Sequence, residues 1–534
     1  MFALGAADSQ LHWRRETNRG AVRPLSLDAM LARRRTRANA AHITGADASA
    51  RVLAIDGHLY AANVPSPLSA EERAALKAQY ECSATALTER GETYLERVIF
   101  PELDETNARL GAIDPFATAE TLSGAALADH LLDCLRWYER AWTLHWLRPP
   151  DDPRERFIKL YQQLTGDSDR QSAGELFSYE PNLMTAALTG VMSLARLLQR
   201  GVVEASDEFQ AALAGVLAVQ GLRCGEGAGN ERDVMAPSWR EDPAIPIALA
   251  RQYATQDLDA LERARAATIA RRDARVAEIR AAIADEETRR RFDFWLDAAR
   301  RALRAFEDHN YKIDSAAAAL LRLAILGAAR RLQSVGILSD TEEVWLLGAQ
   351  ELARALRETG AESESDGSVW RERVHARAAE YAWQRAQTAP EWIGAPAPAG
   401  EAGRGPGGAG APPAQAAVTT AQTTPPDDVV LTGQTGSRGL ATGTVKLLER
   451  NDVVPVVEPG DVLVARNASP LWAPAFAVAA AVVLDGGALF QHALLTCREY
   501  GVPAVIGTRE ATQKLTAGQR VTVDATHGWV LPAD

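Results

Sequence analysis

Between residues 395 and 426 the chain reads APAPAGEAGRGPGGAGAPPAQAAVTTAQTTPP. Proline, glycine, alanine and threonine dominate, and nothing in the run can build a core. Proline lacks the amide donor that helix interiors and inner strands need, and glycine loses the most backbone entropy on ordering. A composition of this kind behaves as a tether, partly extended by its prolines. The sequence therefore predicts two bodies: a mostly helical one over 1–395 and a small mixed β/α one over 429–534, joined by a flexible linker over 396–428.

The rest of the chain can fill both bodies. Its 534 residues allow about two to four domains, and at 47% hydrophobic it has enough apolar side chain for full cores. A net charge of −12 argues against nucleic acid as a partner. Cys82, Cys134, Cys224 and Cys497 are widely spaced with no CxxC pair, which reads as reduced thiols with neither a disulfide framework nor a zinc site. The N-terminal stretch MFALGAADSQLHWRRET has no apolar signal region. The longest apolar run, Ala473 to Leu484, is too short to span a bilayer as a helix. A cytoplasmic protein without a membrane partner is expected.

Before the linker, helix patterns prevail. Phe292, Trp295, Leu296, Ala299, Leu303 and Phe306 recur at three- and four-residue intervals on one helix face. Arg289, Arg290 and Arg291 read as a solvated face. One β element interrupts: RVLAIDGHLYAANV, residues 51–64, sets two strand-prone runs around Asp56-Gly57, a favoured type I′ hairpin pair. After the linker the runs TGTVKLL, DVLVA, AAVVL, PAVIG, QRVTVDA and GWVL alternate with glycine- and proline-bearing turns, which predicts strands with one or two helices between them.

One of those strands leads into DGGALFQHALLTCREYGVPAVIG, residues 485–507. Gly486 and Gly487 permit a tight turn and close approach of a ligand. The helix start beyond them offers unpaired N–H groups and a positive dipole end, a place suited to phosphate. That field disfavours imidazolium, so His492 is expected to stay neutral and nucleophilic, able to attack phosphorus and carry the phosphoryl group. The plainer alternative is a histidine that caps or packs the helix start.

The region from about Leu431 to Val530 resembles the mobile phosphohistidine domain of the phosphoenolpyruvate-utilising enzymes, which include pyruvate phosphate dikinase, phosphoenolpyruvate synthase, rifampin phosphotransferase and phenylphosphate synthase. The blocks LTGQTGSRGLATGTVKLL, GDVLVARNASPLWAPAF, DGGALFQHALLTCREYGVPAVIGTREAT and LTAGQRVTVDATHGWVL follow that domain in order. The resemblance implies a swivelling β/β/α domain, with His492 as the phosphorylated residue and Gly486, Gly487, Gln491, Arg498 and Glu499 supporting the phosphate. Gln491 stands where the family usually has serine, and Cys497 where it has alanine.

A second resemblance, to the helical region of rifampin phosphotransferase- and phenylphosphate synthase-type proteins, is carried by AFEDHNYKIDSAAAALLRLAILGAARRLQSVGILSDTEEVWLL and by GLRCGEGAGNERDVMAPSWREDP. It implies that Arg223 and Arg240 hold an incoming phosphoryl group, and that Glu231, Asp233 or His309 takes a proton from an acceptor hydroxyl. Leu222 and Ser238 replace the family's usual histidine and arginine. Trp295, Phe306 and Tyr311 are expected in the core, and His130 and His145 as helix-packing histidines.

Nothing in residues 1–395 looks like an ATP-grasp domain, and no phosphoenolpyruvate-binding barrel pattern follows the mobile region. The implied activity is that of a phosphotransferase of the phosphoenolpyruvate synthase or pyruvate-water dikinase type, a kinase working through phosphohistidine. ATP and Mg²⁺ would enter through a separate ATP-grasp partner, or phosphoenolpyruvate would be the donor, and the acceptor would be a small organic molecule. No cofactor or metal site is identified in the chain itself. Two alternatives stand beside this reading: a catalytically degenerate binding or regulatory partner, and a specialised-metabolite enzyme whose chemistry lies in the helical body.

Overall fold

The computed structural model describes the chain apart from residues 1–7, 16–20, 115–118, 120, 148–150, 225–231, 359–366, 388, 391, 397–425, 427, 449–455, 467–471, 487–491 and 534. Nearly all of the expected linker over 396–428 therefore lies outside the described residues.

The predicted hairpin forms. Strands β2 (Ala48–Ile55) and β3 (His58–Pro65) pair antiparallel from Ala48↔Pro65 to Ile55↔His58. Asp56 and Gly57 turn between them with φ of 47° and 74°, both in the left-handed region a type I′ turn requires. Two strands the sequence did not suggest complete this sheet, β1 (His12–Arg15) and β4 (Trp392–Gly394), in the order β2-β3-β1-β4. Because β4 pairs with β1, the helical body's last described segment returns to its first.

The helical core centres on two helices, Gly124–His145 and Ala316–Ser334. The second is so rich in alanine and leucine that it is buried on nearly every side, as a helix apolar all round must be. The long helical stretch after Asp257 is two helices. Leu258–Ala282 ends where Ile283 turns extended, and Asp285 caps Glu286–His309 by accepting from the Thr288 amide at 2.7 Å. Arg289 donates to the Ile283 and Ala284 carbonyls at 2.9 Å each, closing the first helix's C-terminus. The predicted face is buried: Phe292, Leu296, Ala299 and Leu303 join Phe157 and Phe177 in one cluster, with Trp295 packed at its edge.

Between Glu286–His309 and Ala316–Ser334 the backbone widens into a π-helical turn, Asn310–Ser315. Such turns carry one extra residue per turn and re-aim the side chains within them. Asn107 holds this one from outside, donating to the Lys312 carbonyl at 2.9 Å while accepting from the Trp137 indole at 2.8 Å.

The C-terminal sheet runs β5 (Leu431–Thr432), β12 (Trp529–Pro532), β11 (Arg520–Asp524), β7 (Leu440–Leu448), β8 (Asp461–Ala465), β9 (Ala481–Leu484), β10 (Ala504–Ile506), β6 (Gln434–Ser437). Its centre, β7-β8-β9-β10, is parallel, and the flanking pairs are antiparallel. The period of two sorts β8 between layers: Val462 and Val464 enter one core, Leu463 and Ala465 the other. That second core does not stop at the sheet. It is one apolar cluster with Val191, Leu249, Tyr253 and Leu258 of the helical body, so the two bodies are packed together. Among the described residues no helix is long and apolar enough to cross a membrane.

Candidate functional site

Strand β9 ends at Leu484, and Asp485 fixes the turn beyond it. Its carboxylate accepts from the Thr512 amide at 3.2 Å and the Thr508 hydroxyl at 3.3 Å, and it also bonds the Thr512 hydroxyl. The Gly486 amide is already bonded to the Arg466 carbonyl at 2.8 Å. Gly486 thus takes part in the turn beyond the strand, its N–H committed to the Arg466 carbonyl. Gly487 and Gln491 lie outside the described residues. The helix His492–Tyr500 begins at His492 itself, so the histidine occupies the expected helix N-terminus at the C-terminal edge of a parallel sheet, where open α/β sheets bind their ligands.

Arg498 and Glu499 sit elsewhere. Six and seven residues on from His492, they are about 9–10 Å away along the helix axis. Both are buried. Arg498 donates from Nε to the Gly436 carbonyl at 2.8 Å, tying the helix to edge strand β6. Glu499 faces Arg265 of the helical body at 3.8 Å. It enters a narrow crevice with Tyr179, Glu180, Leu303, Arg304 and Glu307. Burial, assisted by the charge of Glu307, pushes the Glu499 carboxyl up to about 7. Tyr179 holds a left-handed φ of 74° there, and the loop around it is clamped by Arg272, which donates to the Ser178 carbonyl at 2.7 Å and to Glu180 at 3.0 Å. In this arrangement Arg498 ties its helix to β6, and Glu499 faces the helical body. Cys497 is fully buried and its thiol is pushed up to about 12, so it is an inert packing group.

The acceptor-side residues gather around the π-helical turn. Arg223 is buried, with its guanidinium donating to Gln220 Oε1 at 3.1 Å and to the Leu183 carbonyl at 3.3 Å. It lies 5.4 Å over the Tyr311 ring. Those bonds make it a brace between segments in this arrangement. Arg240 is exposed, and its charge, like that of Arg223, acts on the Tyr311 hydroxyl. Asp308 accepts from the Leu183 amide at 2.7 Å. Glu241 is held by Arg322 through two bonds of 2.7 Å. Glu231 lies outside the described residues, and for Asp233 only its place in the short helix Arg232–Met235 is described.

His309 is buried at the foot of its helix, Nδ1 against the Phe306 carbonyl. Its ring lies 5.2 Å from that of His145. His145 packs as expected, its ring 4.9 and 5.1 Å from those of Trp142 and Trp146, and its Nδ1 also stands 3.1 Å from Asp314 Oδ1. His145 and Asp314 are 169 positions apart, and no spacing rule links them. His130 does pack, its Nε2 3.6 Å from Cys134 Sγ. Phe306 and Tyr311 are only partly buried, and Phe306 lies under the Arg154 guanidinium at 4.5 Å. No group of three His, Cys, Asp or Glu able to hold a metal occurs among the described residues.

Residues 457–528 match the family described as PEP-utilising enzyme, mobile domain, and residues 181–307 match rifampicin phosphotransferase fourth domain. Chondramide synthase of Chondromyces crocatus is 30% identical over 508 residues, 89% of this chain and 12% of that protein. The uncharacterized phosphotransferase YvkC of Bacillus subtilis is 28% identical over 312 residues, 56% of this chain and 34% of its own. Phosphoenolpyruvate synthase of Aeropyrum pernix is 42% identical over 107 residues, 20% of this chain and 13% of its own. The chain therefore spans about an eighth to a third of the length of these relatives.

Proposed function

The chain carries a mobile domain of the PEP-utilising enzymes beside a rifampicin phosphotransferase fourth domain, and on that premise we propose that it moves a phosphoryl group on His492 to a small organic acceptor held by the helical body. The observation that carries the reading is positional. Within the matched segment, a helix starts at His492 directly beyond the C-terminal edge of the parallel strands β8-β9-β10.

In loading, a ring nitrogen of His492 attacks phosphorus as the donor's P–O bond breaks and its electron pair leaves with the oxygen. In delivery, an acceptor oxygen attacks phosphorus, the N–P bond breaks with its pair returning to the ring, and the hydroxyl proton passes to a base. The first step needs a donor site. We assign it to a separate ATP-grasp protein supplying ATP and Mg²⁺, with phosphoenolpyruvate as the alternative donor. The second needs His492 to reach the acceptor face. The helical body is met by the other end of the His492–Tyr500 helix, so the mobile unit must turn between steps. The stretch over 396–428 is the proposed tether for that motion.

Mass spectrometry of phosphopeptides at neutral to basic pH tests this. The chain is incubated with ATP, Mg²⁺ and a candidate ATP-grasp partner, and in parallel with phosphoenolpyruvate. Acid-labile phosphate on His492, lost in His492→Ala, is the expected result, and the productive arm names the donor. An unmodified His492 in both arms sinks the proposal and leaves the regulatory reading.

The relative in Chondromyces crocatus favours a second reading of the context. A stretch like nearly all of this chain sits within a much larger synthase, so the acceptor would be an intermediate or product of such a synthase. Retention of the phosphoryl group on His492 until that compound is added is the expected signature.

A further inference from the structure

Where the two bodies meet, acidic side chains share one crevice. From the carrier side, the helix His492–Tyr500 brings Glu499, whose side chain keeps 7% exposure. From the helical body come Glu307, buried in the helix Glu286–His309, and Glu180 in the loop beside Tyr179. The crevice they line measures about 10 Å³, room for roughly one water. A carboxylate there cannot keep its hydration shell, and a second carboxylate across the contact makes its charge still less favourable.

Positive charge offsets this only in part. Arg265 of the helix Leu258–Ala282 stands against Glu499 at 3.8 Å, a long contact from a side chain that is 28% exposed. The neighbouring cations are engaged with other groups. Arg304 faces Asp308 at 3.7 Å, Arg271 donates to the Thr268 hydroxyl at 3.0 Å, and Arg272 and Arg300 face Glu180 at 3.0 and 3.5 Å. Arg498, next to Glu499, donates to the Gly436 carbonyl. Further negative charge comes from Glu262, which acts on Tyr500, and from Glu175 of the helix Arg170–Phe177, on which Arg438 and Arg498 act. The Tyr179 and Tyr500 hydroxyls are both pushed up by burial and stay protonated near neutral pH. Burial pushes the Glu499 carboxyl up to about 7 against the pull of Arg265, and Glu307 adds to the rise.

We infer that this contact is a proton-operated latch: a proton on Glu499 keeps the carrier body seated on the helical body, and its loss favours release. The inference rests on the carrier reading, which needs the bodies to part, and adds what controls the parting. Seated, Glu499 faces Glu307 in a space too small to hydrate it. Released, it reaches water and returns to its ordinary value of about 4.5. The seated form therefore holds a proton that the released form gives up between about 4.5 and about 7. Linkage sets the sign: seating is strongest at acid pH, weakens across that window on the order of a hundredfold, and levels above it.

Fluorescence transfer within the full, unloaded chain tests this. Cys82 is an exposed native thiol, and Cys134, Cys224 and Cys497 are buried. Lys514→Cys adds a second label on the short helix Ala511–Lys514, which packs into the core of the sheet that faces away from the helical body. The ratio of released to seated molecules is read from pH 5 to 8, with helical content followed by circular dichroism. With Glu499 and Glu307 intact the ratio should rise on the order of a hundredfold at constant helical content. Glu499→Gln keeps the shape without the titrating proton and should stay flat. Glu307→Gln should shrink the rise, because the seated Glu499 then holds its proton less tightly.

A ratio that does not rise with pH when both carboxylates are present overturns the inference, as does an undiminished rise in either variant. His492 carries no phosphate in this experiment. Failure of His492 to load would therefore count against the carrier reading alone, because seating is read without it.

Discussion

At the scale of single residues, Glu499 has a consequence for pH. Its carboxyl is shifted from about 4.5 to about 7, first by burial and then by Glu307. The native state therefore keeps a proton that the unfolded chain has released over that window. Linkage gives the sign: stability falls as pH rises from about 4.5 through about 7, and levels above it. The whole effect is on the order of a few kcal/mol. Urea midpoints measured from pH 4.5 to 8 should decline across the window, and Glu499→Gln should flatten the decline. An unchanged slope in the variant would place the titration elsewhere. The sequence marked Glu499 through its place beside Arg498 in a resembling helix, but its role depends on Arg265 and Glu307, which lie far away in the chain and carry no local signal. The same holds for His145. Its neighbours in AWTLHWL read as a packed helix, which they are, and only the fold brings Asp314 to it.

At the scale of elements, what was legible came from local physics. Asp56-Gly57 announces its hairpin because both residues tolerate left-handed φ. The six strand-like runs after the linker became β7 to β12, since β-branched runs between turn residues have few other options. The short strands β1, β4, β5 and β6 were not legible, because each exists only through a distant partner. The π-helical turn is equally silent in sequence, and it is the element that delivers Asp314. One glycine shows how tight the mobile sheet is. A Cβ on Gly443 of β7 would lie 2.2 Å from the Gly460 carbonyl oxygen and 3.0 Å from Val462 Cγ2. Backbone cannot step aside as a flexible side chain would, so Gly443→Ala should destabilise the sheet by roughly 1–3 kcal/mol. Hydrogen exchange should show faster exchange across the β7–β8 pairing and little change in Gly124–His145. Unchanged protection in β8 would mean that the strands separate without cost.

At the scale of the molecule, the proposed transfer raises the question of what holds the two bodies together. Among the described residues, ion pairs of Arg265 with Glu499 and of Arg438 with Asp169 cross the contact. The second is substantially exposed on both sides, and pairs of that kind contribute at most about 1 kcal/mol and weaken in salt. The apolar cluster shared by the two bodies contributes more, since each well-buried aliphatic or aromatic side chain adds about 1.5–3 kcal/mol. Salt should therefore leave the bodies together, whereas damage to the apolar seam should not. Tyr500 tests this. It ends the His492–Tyr500 helix, is half-buried against the shared cluster, and its hydroxyl is pushed up to about 12 by burial. Tyr500→Asp places a carboxylate where Glu499 is already strained by burial and adds like charge beside it. Small-angle scattering should show a larger radius of gyration for Tyr500→Asp at low salt, with helical content unchanged, and no expansion of wild type in 1 M NaCl. Expansion of wild type in salt would instead assign the contact to its ion pairs. The transfer cycle would then be expected to quicken with ionic strength, where the apolar seam predicts that it does not.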